Sequence, residues 1–149
     1  MPKEYIVRLI FDRNHESMLI MKKSSNPPSE KVIGGVVYRP FKTEKFAEIA
    51  FLAITSIEQV KGYGTRLMNK LKSHVQSESI EYLLTYADNN AIGYFKKQGF
   101  SNIPKMPRKR WRGYIKDYDG GTLMECYVNP NIDFDNIYYD IKKQKDVNV

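Results

Sequence analysis

The chain holds one cysteine, Cys126, among 149 residues. A single cysteine cannot close an internal disulfide, which fits a reducing compartment, and its plainest reading is a small hydrophobe on a strand. No apolar run reaches the roughly 18 residues that a bilayer-spanning helix needs. The start, Met1-Pro2-Lys3-Glu4, has no charged-then-apolar leader, so secretion is not expected. His15 and His74 are isolated, and with one cysteine no structural zinc site and no bound metal are expected. Helix-turn-helix spacing and internal repeats are missing too. The only low-complexity stretch is Ser24 to Ser29.

What is present suits one domain with a real core: 42% hydrophobic and 28% charged residues. The net charge of +7 suggests a polyanionic partner, either nucleic acid or a phosphate-bearing cofactor, although a plain solvated face fits the charge equally well. The charge is uneven. Between Asn89 and Lys116 lie Lys96, Lys97, Lys105, Arg108, Lys109, Arg110, Arg112 and Lys116, with no acid among them. Acids return with Asp117, Asp119, Glu125, Asp133, Asp135 and Asp140.

Periodicity predicts a helix over Pro2–Asp12 with Tyr5, Ile6, Leu9 and Ile10 on one stripe. Strands over Ser17–Lys22 and Val32–Tyr38 should flank a polar loop at Ser24–Ser29, with Gly34-Gly35 marking a bulge or close backbone approach. Phe46–Ile54 reads as a central strand. Gly64–Val75 reads as a helix burying Leu67, Met68, Leu71 and Val75. Ile80–Ala87 is a further strand, and Ala91–Gln98 a short helix closed by Gly99 and Phe100. Gly113–Tyr118 and Thr122–Val128 flank Asp119-Gly120-Gly121 and read as a hairpin. A last helix is expected over Ile137–Lys145. The fold class is α/β, one domain over residues 1–145 with a mixed central sheet flanked by helices, and a polar tail at 146–149.

Two constellations could carry chemistry. Gln59-Val60-Lys61-Gly62-Tyr63-Gly64-Thr65 lies between a strand and a helix, where two glycines let backbone approach a ligand and the helix dipole favours pyrophosphate. A bare Gly-x-Gly also serves as structural punctuation, and this one is neither a P-loop nor a dinucleotide fingerprint. In Phe46–Ile54, strict alternation puts Glu48 on one face with Phe46, Ala50, Leu52 and Ile54. A carboxylate among apolar neighbours has a raised pKa, as a base working near neutral pH requires. A strand-end glutamate reaching solvent or an arginine is the competing reading.

The segments FAEIAFLAI, EQVKGYGTRLMN, LTYADNNAIGYFKKQGF and GYIKDYDGGTLMEC, in this order, resemble the GNAT acetyltransferase superfamily and, within it, the general-control type of histone acetyltransferase. The resemblance runs from Pro2 to about Lys145. It implies acetyl-CoA as co-substrate and no metal. It makes Glu48 the general base and assigns cofactor contacts to Leu52, Ala53 and Ile54, to Gln59, Val60, Lys61, Gly62, Tyr63, Gly64 and Thr65, and to Asn90, Ala91, Ile92 and Gly93. The Leu52 N–H would donate to the acetyl carbonyl, and Tyr94 would either serve the leaving thiolate or pack in the core. Tyr114, Ile115, Lys116, Asp117 and Tyr118 would form one wall of the peptide groove. Leu52 stands where relatives often have Cys, and Asn90 where they often have an aromatic. The family's first strand and first helix have no counterpart in this sequence. The implied substrate is a lysine of a core histone tail, histone H-three, in the nucleus. The implied partners are coactivator subunits, with nucleic acid met only through chromatin, no membrane, and a monomeric domain. Three readings compete: a GNAT enzyme for small amines or protein N-termini, a nucleic-acid module built on Lys105–Arg112 around Trp111, and an inactive scaffold.

Overall fold

A computed structural model describes residues 4, 12–54, 62–116 and 119–136. Five strands form one sheet in the order β1 (Glu16–Ser25), β2 (Pro28–Phe41), β3 (Phe46–Ile54), β4 (Tyr82–Ala87), β5 (Thr122–Tyr127). Neighbours are antiparallel except β3 and β4, which run parallel. Helix α1 (Tyr63–Ser77) makes the crossover between that parallel pair, as a parallel connection demands. Helices α2 (Ile92–Lys97) and α3 (Arg108–Trp111) lie between β4 and β5. The mixed α/β sheet agrees with the sequence reading. Of the helix expected over Pro2–Asp12, Glu4 is helical and Asp12 is not. The remainder, like Ile137–Lys145, lies outside the described residues, and none of the described helices is long and apolar enough to cross a membrane.

The main core sits between the sheet and α1. Leu67, Met68, Leu71 and Val75 are fully buried, as their spacing predicts, against Val36, Ala47, Ile49, Leu83 and Met124. At about 1.5–3 kcal/mol per buried aliphatic side chain, this stripe contributes on the order of 6–12 kcal/mol before entropy is charged against it. A second, smaller core on the other face gathers Phe41, Phe46, Leu84, Met106, Trp111 and Ile115. Helix α2 ends as its sequence suggests. Gly99 has φ 93°, its N–H donates to Lys96 O, the Phe100 N–H donates to Phe95 O, and the Phe95 and Phe100 rings lie 5.1 Å apart.

Three expectations need correction. The Ser24–Ser29 loop shrinks to the turn Asn26-Pro27: β1 and β2 pair to their tips at Ser25↔Pro28, because ladder hydrogen bonds need only backbone and these polar side chains are all exposed. The strand expected over Gly113–Tyr118 does not form over its described residues, 113–116. Residues 113–116 make only an isolated bridge, Arg112↔Ile115, while β5 pairs along β4 from Tyr82↔Tyr127 to Ala87↔Thr122. Trp111 and Ile115 turn inward to fill the second core, and the Tyr114 N–H closes a turn onto Trp111 O at 3.0 Å, which an extended strand would forbid. Third, His74 is not isolated. Its Nε2 lies 2.8 Å from Glu78 and 3.8 Å from Glu16, in a cluster that also takes the Tyr38 hydroxyl and Lys42 and ties β1 to α1.

Leu71→Ala should lower the unfolding free energy by about 2–5 kcal/mol through the cavity it leaves. Urea unfolding with an unchanged m value is the check, and a loss below about 1 kcal/mol would contradict the packing described.

Candidate active site

The β3–β4 ladder is short. It pairs Phe46↔Tyr82 through Ile49↔Thr85 and stops. The cause lies on the other side of β3: Val37 pairs with Phe51 but Tyr38 with Ile49, so Ala50 is an extra residue, a β-bulge. Beyond it β3 stays on β2 and leaves β4. The two strands splay around a cleft of about 730 Å³, lined by Ile49–Ile54, Gly64, Thr85–Asp88, Asn90, Ala91, Tyr94 and Phe95. The Thr85 hydroxyl donates to Ile49 O at 3.2 Å, the last tie before the strands part.

The bulge also changes which side chains share a face. Ala47 and Ile49 point into the main core, and after the extra residue so do Leu52 and Ile54. Phe46 belongs to the second core, and Glu48 follows its parity. Strict alternation therefore fails: Leu52 and Ile54 lie opposite to Glu48, and Phe51 and Ala53 take the positions expected of them. Glu48 sits one residue before the splay, between Arg39 on β2 and Leu84 on β4. It is partly buried, and burial pushes its carboxyl up to about 7, with the Arg39 guanidinium opposing. The Arg39 head lies 4.7 Å above the Phe41 ring, which holds it alongside the strand.

Helix α1 opens on the cleft through Gly64. Its N-cap, Gly62, has φ 79°, a left-handed conformation that L side chains disfavour. Among the described residues there is no side-chain cap and no acid in the first turn, so an anion suits the helix's positive end and first N–H groups. Two bonds from α2 hold this turn: the Tyr94 hydroxyl donates to Gly64 O at 2.9 Å, and Gln98 Nε2 donates to Thr65 Oγ1 at 3.0 Å. A Cβ on Gly64 would stand 3.1 Å from Tyr94 Cε1, so the glycine is what lets the ring close on the helix. Burial pushes the Tyr94 phenol up, and it stays a neutral donor.

Of the residues singled out in the sequence, Leu52, Ala53, Ile54, Gly64, Asn90, Ala91 and Tyr94 meet around the cleft. Gly62, Tyr63 and Thr65 adjoin it at the α1 start, and Gln59, Val60 and Lys61 lie outside the described residues. Ile92 packs against the main core and Gly93 is exposed, and neither lines the cleft. Tyr114 stands edge-on to Phe46 at 6.1 Å, on the Glu48 side, and Lys116 is exposed. Ile115, however, is a core residue and not groove surface, because its side chain fills the second core. Asp117 and Tyr118 lie outside the described residues. Cys126 is buried on β5, and burial raises its thiol pKa, as suits a strand hydrophobe.

Asp88 escaped the sequence reading. Its carboxylate accepts the N–H groups of Asn90 (3.0 Å) and Ala91 (2.9 Å) and so shapes the cleft's floor at the start of α2. The signal was present, an Asp three residues ahead of an apolar helical run. Arg39 was missed as well, since only strand register brings it to Glu48.

A parallel pair splayed by a bulge, a glycine-started helix aimed at the gap and a poised carboxylate at its edge define an acyl-transfer scaffold, and the chain belongs to the Acetyltransferase (GNAT) family, which it matches over residues 2–100. Among individual relatives it is 52% identical over 146 residues to histone acetyltransferase GCN5 of Oryza sativa subsp. japonica. That match covers 97% of this chain and 27% of the rice protein, so the chain spans just over a quarter of that relative. The crystal structure of Tetrahymena GCN5 is similar at TM-score 0.82 and 65% identity, covering 89% of this chain and 80% of that one. The catalytic domain of Tetrahymena GCN5 histone acetyltransferase in complex with coenzyme A is similar at TM-score 0.68 and 65% identity, covering 90% of this chain and 78% of that one.

The Glu48 environment has a measurable consequence for stability. The folded carboxyl titrates at about 7 against an ordinary 4.5, so between these values the folded state holds more protons than the unfolded one. Stability is then full below the ordinary value and falls as pH rises toward 7. Glu48→Gln removes the titrating group, so it should flatten this limb and melt above the parent protein at pH 8. Thermal melts at pH 4 and pH 8 test this, and a parent protein that gains stability across the window would contradict it.

Proposed function

We propose that this domain transfers acetyl from acetyl-CoA to a lysine side chain of a core histone tail, histone H-three, as the catalytic part of a nuclear coactivator enzyme. The single observation that carries the reading is Glu48, a carboxylate raised to about 7 that does not itself line the cleft but directly precedes Ile49, which does. The similarity to GCN5 histone acetyltransferases supports the choice of substrate.

The chemistry requires a base. A free lysine with pKa about 10.4 is almost wholly ammonium at neutral pH, and its nitrogen then has no lone pair for attack. Glu48 takes that proton, directly or through one water. The neutral amine attacks the thioester carbonyl, the C–N bond forms as the C–S bond breaks, and the nitrogen's surplus proton passes to the departing thiolate, which leaves as coenzyme A. Both substrates are bound together, so no acetyl-enzyme forms. The β3 backbone at Leu52 donates its N–H to the carbonyl oxygen as charge builds there. Leu52, Ala53 and Ile54 line one side of the pantetheine arm, with Asn90 and Ala91 on the other. The loop from Gln59 through Thr65 takes the pyrophosphate at the start of α1. Tyr94 positions this turn through Gly64, and its hydroxyl can turn to the leaving sulfur only by giving up that bond. Tyr114 and Lys116 border the peptide side.

Glu48→Gln should leave acetyl-CoA binding nearly unchanged and cut peptide turnover by at least about 100-fold near neutral pH. In the parent enzyme kcat/KM should rise with pH through about 7, where Glu48 loses its proton, and the residual activity of the variant should lack that limb. Equal turnover, or the same limb in the variant, would remove Glu48 from the reaction. Gly62→Asp should weaken acetyl-CoA binding, because it adds a carboxylate and a strained φ where an anion is to be held. Calorimetry with an unchanged affinity would take the loop out of the site.

A further inference from the structure

The basic stretch before Asp117 is not a loose charged loop. Buried Glu125 accepts the N–H groups of Lys105 (3.0 Å) and Met106 (2.9 Å). Met106, Trp111 and Ile115 are locked into the second core with Phe41, Phe46 and Leu84. Arg110 turns inward, donating to Glu44 O at 2.7 Å and to Glu81 Oε1 at 2.9 Å. These anchors fix the backbone and leave Lys105, Arg108, Lys109 and Arg112 exposed, with no ion pair among the described residues. Arg108 is held flat, its guanidinium carbon 5.9 Å from the Trp111 ring centroid. The neighbouring acids are already engaged: Glu125 by backbone, Glu81 by Arg110 and Glu44 by the Tyr114 hydroxyl. None of these three carboxylates makes an ion pair with a strip cation among the described residues, so the four cations remain open to an outside anion.

We infer that Lys105, Arg108, Lys109 and Arg112 form a rigid docking surface for the phosphate backbone of double-stranded DNA, set beside the acetyl-transfer site so that DNA-bound histones are delivered to Glu48. The inference rests on the histone reading and goes beyond the indirect contact with nucleic acid expected from the sequence. Its location carries the argument. The strip is rooted in the same small core as Phe46, two residues from Glu48, and as the edge of Tyr114. A polyanion is attracted there, and DNA wrapped on histones brings the cationic tail with it. Pre-ordered cations bind phosphates at a smaller entropic cost than a flexible tail does. The surface offers charge without a helix or ribbon shaped for a groove, so it reads backbone and not base edges.

The experiment uses the variant Lys105→Gln/Lys109→Gln/Arg112→Gln, which spares the stacked Arg108 and leaves the peptide wall untouched. A second variant, Lys96→Gln/Lys97→Gln, removes exposed charge from α2, away from the strip. Fluorescence anisotropy with a duplex of about 30 base pairs gives the dependence of log affinity on log salt. Each lost phosphate contact should flatten the slope by about 0.9, so the triple variant should flatten it by about 2–3, equivalent to about 40-fold over a fourfold salt range, and the α2 variant should not. Acetylation of nucleosomes by the triple variant should fall at least about 10-fold in kcat/KM, while acetylation of an isolated tail peptide holds. An unchanged slope, an equal slope loss per charge in the α2 variant, or equal losses on nucleosome and peptide would each overturn the inference. A parent enzyme inactive on the peptide would instead defeat the histone reading, and the anisotropy measurement would still stand on its own.

Discussion

One extra residue in β3 governs the site. Because Ala50 has no partner on β2, the strand changes parity there and drops β4 after Ile49. An unbroken parallel ladder would have bonded the backbone from Ala50 to Ile54 to a neighbour and closed the gap. With the bulge, that stretch faces open space while β2 still holds its other edge in register as far as Gly34↔Ile54. The opened edge is rigid as well as available. The side chains of Leu52 and Ile54 turn into the main core and fix the backbone that carries them. The remaining parts fall into place around this opening: α1 must cross over from β3 to β4 and so begins at the gap, and Asp88 turns the chain across its floor into α2.

What the sequence made legible follows from local physics. The stripe of α1, the closing turn of α2 after Gly99 and the bounds of β3 are all set by residues near one another in the chain, and each appears where it was expected. The face of Leu52 was not legible, because a bulge belongs to a pair of strands. Nothing in FAEIAFLAI marks Ala50 as the residue β2 will skip. Ile115 and the strand missing over residues 113–116 fail for the same reason. The Gly-Gly signal does mark a turn, but the strand after it had two possible neighbours, and β4 with its own buried Leu83 and Leu84 offered the better surface. Helix α3 is a single turn whose only buried side chain is Trp111, too short for periodicity to detect. The raised pKa expected of Glu48 is present although its face was drawn with the wrong companions, since partial burial was enough to raise it.

Charge is distributed with the same economy. The net charge of +7 conflicts with a basic peptide substrate only if it is spread evenly. It is not. Arg110 is spent on structure, Lys72 is buried and donates to Gln98 O at 2.5 Å, and Lys42 and Lys70 pair with Glu78 and Asp135. Among the described residues, Lys105, Arg108, Lys109, Arg112 and Lys116 form one exposed basic run, and further exposed cations such as Lys31, Lys45, Lys96 and Lys97 lie elsewhere.

Two opposing influences set the titration of the Glu48 carboxylate, and burial is the larger. Burial alone would keep Glu48 protonated at neutral pH, so that it could not accept a proton. A tight ion pair with Arg39 would hold it well below, so that it could not retain one long enough to be useful. Strand register sets the guanidinium directly across from Glu48, close enough to oppose burial, while the Phe41 ring draws the cationic head over its face at 4.7 Å. Phe41 is itself stacked on Phe46 at 4.7 Å, so the ring that restrains the arginine is held by the residue two positions before the base. The poise of Glu48 is therefore a property of the small second core as much as of its own position. A change to Phe41 would reach the carboxylate through Arg39 without touching the cleft.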